Sequence, residues 1–170
     1  MDKLAFIFSM ASLVCMLTSS LIKGKNMKTI LVLVCAANFL VALSYFVQVP
    51  MAVNGAVSCA IGGVMSLINY FYDKDEKPIP KWLIAIYAIV ITVLNAVVMK
   101  SPVDLITIVA GLSFVMSIIQ KNGKMFRVYT IINMLLWIIY DLFVHAWGPI
   151  LQHSIQFAFF VLGMIIHDRK

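Results

Sequence analysis

The chain has 170 residues, 63% of them hydrophobic and only 12% charged, with a formal net charge of +6. That composition excludes an ordinary soluble domain, which could not be coated by so few polar groups, and places the chain in a membrane. The basic excess sits at the ends of apolar stretches, where it meets anionic headgroups, and this excludes a nucleic-acid role.

The apolar stretches read as seven spans, at 4–22, 29–48, 51–72, 82–99, 103–119, 128–146 and 149–166. About 20 apolar residues cross roughly 30 Å of hydrocarbon, and lipid offers no partner to an open backbone amide, so each span is expected to be helical. The first span follows Met1-Asp2-Lys3 without a convincing cleavage site and is expected to persist as an uncleaved helix. Spans one to three carry one cysteine each, Cys15, Cys35 and Cys59. An odd count with no Cys-x-x-Cys or Cys/His spacing points to packing rather than to a disulfide or a metal.

Span two carries Asn38 and Tyr45, which share a helix face within about 20°. Span three carries Ser58-x3-Gly62-x3-Ser66, a small-residue stripe that permits close helix approach, and Asn69, placed to face either a cavity or the headgroups. The polar loop 73–81 contains Pro78 and Pro80, which forbid helix continuation. Asn95 is the polar residue of span four. Ser101-Pro102-Val103-Asp104 combines a capping serine, a proline at the first helical position and an acid three residues after the cap. It reads as a helix start, and Asp104 needs no catalytic role.

Span six is the richest. Asn133, Trp137, Tyr140 and Asp141 fall within about 100° of one another around the axis. Counted inward from Arg127, Trp137 lies about 15 Å deep, near the bilayer centre. An amide and aromatic rings on one face at that depth suit the wall of a small polar cavity, although Asn133 could equally bond helices together. Asp141 is the acid within a span interior, which makes it a candidate for proton coupling, with His145 four residues on placed to relieve its cost. Span seven opens at Gly148-Pro149 and offers Gln152 and Gln156 on one face, with His153 beside them and expected in the outer interface. Gln156 is deep enough to need a partner, either a cavity ligand or a facing helix.

No His-Glu-x-x-His, Gly-x-Ser-x-Gly, phosphate loop or pair of intramembrane acids occurs, so the chain is not expected to be an enzyme or to need a cofactor or metal.

Loops one, three and five with the C-terminus hold eleven of the thirteen basic residues, whereas the N-terminus and the remaining loops hold only Lys3 and Lys100. The positive-inside rule then sets the N-terminus outside and the C-terminus in the cytoplasm, and the alternation requires an odd number of spans. A shift of 95 residues carries Asn38-x6-Tyr45 onto Asn133-x6-Tyr140 and Tyr72-Asp73-Lys74 onto His167-Asp168-Arg169. The basic loop 23–28 corresponds to 121–127 with a slip of two or three residues. This predicts two parallel triplets, 1–73 and 103–170, joined by a linker helix at 82–99.

Ser101-Pro102-Val103-Asp104-Leu105, ITIVAGLSF, QKNGKMFR and NMLLWIIYDLFVHAWGP resemble the YgjV-type bacterial inner-membrane proteins, most clearly over residues 101–169. The resemblance implies a multi-pass protein of the bacterial inner membrane. The three-plus-one-plus-three layout is similar to that of SWEET sugar transporters and PnuC vitamin transporters, which implies facilitated transport by analogy. The Pro-Gln hinge of SWEET helices has no counterpart here: span one lacks proline and span five has Pro102 only at its start.

The expectation is therefore an all-α polytopic membrane protein with seven transmembrane helices in two parallel three-helix repeats. Its expected function is small-molecule transport by alternating access, with Asn38, Tyr45, Asn133, Trp137, Tyr140 and Gln156 as ligand contacts. The alternative is a non-transporting assembly factor, partner-binding subunit or sensor. Expected partners are the bilayer and a small polar molecule, with homo-oligomerisation left open.

Overall fold

The computed structural model describes residues 3–22, 26–74, 79–120 and 123–167. Lys23, Lys25, Lys77, Pro78, Lys121, Asp168, Arg169 and Lys170, which entered the charge and repeat arguments, lie outside the described residues. The helices are α1 (Lys3–Leu21), α2 (Met27–Val47), α3 (Val53–Lys74), α4 (Lys81–Val98), α5 (Leu105–Ile118), α6 (Gly123–Phe143) and α7 (Trp147–His167). A 3-10 turn at Pro102–Asp104 leads into α5.

Six of these helices are long and apolar enough to cross a membrane, while Pro102–Ile118 is a shorter apolar helix. Their outer surface carries exposed Ile7, Phe46, Ile89 and Phe143, and the interior holds Ser9, Ser12, Asn95, Asn133 and Gln152. Such an arrangement suits a solvent as apolar as leucine, where polar groups gain by facing one another. The chain is a multi-pass helical membrane protein.

Hydrogen bonds fix the helix directions. Ser44 Oγ donates to Ala5 O and Ser12 Oγ to Ala37 O, so α1 and α2 run antiparallel. Asn133 to Ala110 and Ser113 to Tyr129 set α5 and α6 antiparallel in the same way. By contrast Ser58 pairs with Thr107 and Asn69 with Ile118, both 49 residues on, so α3 and α5 are parallel. Helices α1 and α7 are parallel too, since Ser12 meets Gln152 while Gly148 abuts Ser9 and Gly163 abuts Ser20. With α2 packed between α1 and α3, and α6 between α5 and α7, six helices close into a ring.

Helix α4 lies outside that ring against α3 and α5. Asn95 donates to Ser58 Oγ at 3.3 Å and accepts from Thr107 at 3.0 Å. Asn69 accepts from Tyr87 at 2.8 Å and donates to Ile118 O at 3.1 Å. Each asparagine thus ties three helices together, and Asn69 lines only a small space of about 20 Å³ beside Met27 and Ile118, apart from the space that Asn38 and Asn133 line. Asp104 accepts from the Lys100 and Ser101 amides at 2.8 and 2.9 Å, which is the helix-start role read from the sequence.

Span six differs most from its expected limits. The helix begins at Gly123, not near 128, because Lys124 and Arg127 fit within its first turns. Arg127 is only 6% exposed, so it is enclosed by the bundle and does not reach out from a loop to the headgroups. The midpoint of α6 is therefore Asn133, and Trp137 lies about 9 Å from the Phe143 end, closer to one face than its count from Arg127 implied. Helix α6 ends at a left-handed His145, φ 53°, with Ala146 N–H bonded to Asp141 O at 2.9 Å, a six-to-one closure of the Schellman type. Trp147 restarts the chain as α7, and Pro149 falls in the first turn, where its missing N–H is harmless.

Candidate functional site

Asn38 and Asn133 sit at the middles of α2 and α6, and both line one cavity inside the ring. Trp137, Gln152, His153 and Gln156 line it from α6 and α7, and Ser12 and Cys59 from α1 and α3. The space open to water-sized spheres is about 30 Å³. At roughly 10–15 Å³ per water this admits about two water molecules.

The polar groups of the wall are unequally satisfied. Asn38 Nδ2 donates to Val34 O on its own helix at 2.8 Å, and Asn133 Nδ2 donates to Ala110 O at 2.6 Å, tying α6 to α5. Gln152 Nε2 donates to Ser12 Oγ at 3.0 Å, and Ser12 in turn to Ala37 O at 2.9 Å. Gln152 Oε1 and Gln156 Nε2 have no partner among the protein's own described groups, although both residues are 1% exposed. A buried acceptor and a buried donor one turn apart on one helix face are therefore left for something in the cavity.

Toward the Phe143 end lies a second layer. Asp141, fully buried, receives a hydrogen bond from the Tyr45 hydroxyl on one oxygen and meets His153 Nδ1 at 2.6 Å on the other. His153 is 3% exposed and stacks on Trp137 with ring centroids 5.8 Å apart. Tyr45 leans on Trp137 at 5.8 Å, and Tyr140 stands edge-on to both rings. Gly55 makes room for this layer, since a Cβ there would lie 2.9 Å from the Tyr45 ring.

Of the residues expected to share a space, Asn38, Asn133, Trp137 and Gln156 are on the cavity wall. Tyr45 stands one layer away on Asp141, and Tyr140 instead lines a separate pocket of about 260 Å³ at the helix ends. The partner of Asp141 is not the exposed His145, which stacks on Trp147, but His153, which the sequence reading had left in the interface. A signal was available: Asp141 and His153 lie six residues either side of Trp147, and two antiparallel helices joined by a tight turn bring such positions face to face.

A family model of bacterial inner membrane proteins, Imp-YgjV, matches residues 4–170. The chain belongs to this family. The Imp-YgjV match places it in the bacterial inner membrane and runs through every helix described above, cavity and aromatic layer included. No curated protein and no solved structure matches the chain.

Proposed function

We propose that this inner-membrane protein is a small-molecule transporter or facilitator that works by alternating access between two three-helix halves. The observation that carries the reading is the pair of unpaired amide atoms, Gln152 Oε1 and Gln156 Nε2, buried on the wall of a cavity at mid-depth. An unpaired buried polar atom costs about 1–3 kcal/mol, a cost that a bound polar ligand removes. Asn69 and Asn95 serve separate helix contacts, whereas Asn38, Asn133, Gln152 and Gln156, for all that three of them also make protein hydrogen bonds, share one cavity wall, which favours a binding site over a scaffold. The ligand class that the lining favours is small, uncharged and polar, and the space of about 30 Å³ must widen to admit anything larger than water molecules.

The same reading accounts for the two barriers. Tyr45, Trp137 and Tyr140 separate the cavity from pockets of about 260 and 270 Å³ among the helix ends at the Phe143 side. Toward the other side, Met16, Phe126 and Phe160 pack with Ile30. Packed layers on either side of the cavity are what alternating access requires, since parting one layer at a time would expose the site to one compartment.

Helix register supports an internal repeat. Moving α1 and α7 by 95 residues each turns the separation of 140 between Ser12 and Gln152 into one of 50, and the corresponding pair of α3 and α5, Ser58 and Thr107, is 49 apart. The basic ends of the described helices, Lys28, Lys81, Lys124 and Arg127, favour the cytoplasm for that face, and the opposite face has Lys3 and Lys100.

The test is uptake into proteoliposomes from a pool of small polar metabolites, read by mass spectrometry against protein-free vesicles. Selective accumulation of one chemical class is the expected result. Equal composition in both vesicle types across the pool would favour the non-transporting reading.

A further inference from the structure

Between His153 Nδ1 and Asp141 Oδ2, 2.6 Å apart, a proton must lie, because two lone pairs would repel at that distance. The other carboxylate oxygen is occupied by the Tyr45 hydroxyl proton. With only these protons the cluster carries one net negative charge in a fully buried setting. A further proton on His153 Nε2 makes it a neutral ion pair. Among the described residues, the titratable groups besides His153 that face the carboxylate are Tyr45 from α2, Cys59 from α3 and Tyr140 from α6, and each is neutral when protonated. Helix α1, packed on α7, sets the hydroxyls of Ser9 and Ser12 along this side, and its Lys3, at the helix start, is exposed. An uncompensated charge inside a membrane protein is expensive, so this pair gains or loses a proton as its surroundings change.

His153 belongs at once to this layer and to the cavity wall, where it stands beside Gln152, Gln156 and Trp137. We propose that Asp141 and His153 together form a proton-binding site that opens onto the cavity, with one exchangeable proton held on the imidazole. Resting on the transport reading above, this makes ligand movement proton-coupled: occupancy of the cavity and of the imidazole are decided by the same residues. Tyr45, bonded to Asp141 across the two triplets, then ties the protonation state to the aromatic layer that closes the site.

Trp137 provides the reporter, since an imidazolium stacked on indole quenches its emission and a neutral imidazole does so far less. Trp82 and Trp147 are exposed and can be replaced by phenylalanine, leaving Trp137 as the fluorophore in lipid nanodiscs. The expected result is one reversible loss of emission on acidification between about pH 9 and pH 5, lost in His153→Gln and displaced in Asp141→Asn. Absence of any transition, its persistence in His153→Gln, or an unmoved midpoint in Asp141→Asn would overturn the proposal. Should His153→Gln fail to fold, nitrogen-15 spectra of histidine-labelled protein bearing His145→Asn and His167→Asn read the protonation of His153 directly. A ring that keeps one protonation state throughout that range sinks the idea. The titration needs no ligand, so a failed uptake screen with an intact titration removes transport and leaves the proton site, whereas the reverse pattern removes only the proton site.

Discussion

Gln156 discriminates between a ligand contact and a helix bond because its amide nitrogen is buried without a partner. Replacing it by leucine removes that donor while nearly preserving volume. Gln156→Leu is expected to raise the stability of the ligand-free protein by about 1–2 kcal/mol and to abolish uptake. A fall in melting temperature would instead show that the amide bonds a neighbouring helix. Trp137 behaves differently, for it lines the cavity and is also packed by Tyr45, Tyr140 and His153. Trp137→Ala should therefore cost about 3–5 kcal/mol in stability, so loss of uptake in that variant says little by itself. Trp137→Phe keeps an apolar ring in place, and we expect it to stay folded with weakened uptake; unchanged uptake would remove the indole from the ligand contacts.

At the scale of the element, α4 is held on the ring by close backbone approach as well as by its asparagine. A Cβ on Gly111 would lie 2.3 Å from Ile91 Cγ1, and Ile91 is buried against that face of α5. Gly111→Ala is expected to destabilise by about 1–3 kcal/mol, because a filled core has no slack for an added methyl. Ile91→Ala removes the clashing atom, so the double variant should recover part of the loss in a thermal melt. Additive losses in the double variant would mean that the two helices do not meet there. The small-residue stripe of α3 works by the same geometry: Gly62 lets Asn38 and Phe114 come within 2.9 and 3.2 Å of where its Cβ would stand.

For the whole molecule, orientation is the property with the broadest consequence, since it decides which compartment each barrier faces. From the bias of eleven basic residues against two, a reporter active only in the cytoplasm should work when fused after Lys170, and one that requires export should be silent there. The opposite pattern would put the Phe143 end of the bundle, with its aromatic layer, on the cytoplasmic side. The parallel packing of α3 on α5 and of α1 on α7 is tied to the same odd alternation, because α4 returns the chain to the side from which α1 began.

Composition and charge alone determined the membrane class, the helical content and most helix limits, because hydrocarbon imposes one length and one backbone solution on every span. The capping role of Asp104 was also legible, being written in four adjacent residues. What spacing could not supply was partnership. Helical phase placed Asn133 and Trp137 on one face, but whether Asn69, Asn95 or Gln156 met a cavity or a helix depended on neighbours distant in the chain. Hydropathy also cut α6 short, since Lys124 and Arg127 count against a span while fitting within the first turns of a helix. That shifted the apparent midpoint from Asn133 to Trp137. Only the tertiary structure decided that Asp141 is bonded by Tyr45 from α2 and by His153 across the turn, because a buried carboxylate takes its partners from whichever helices pack against it.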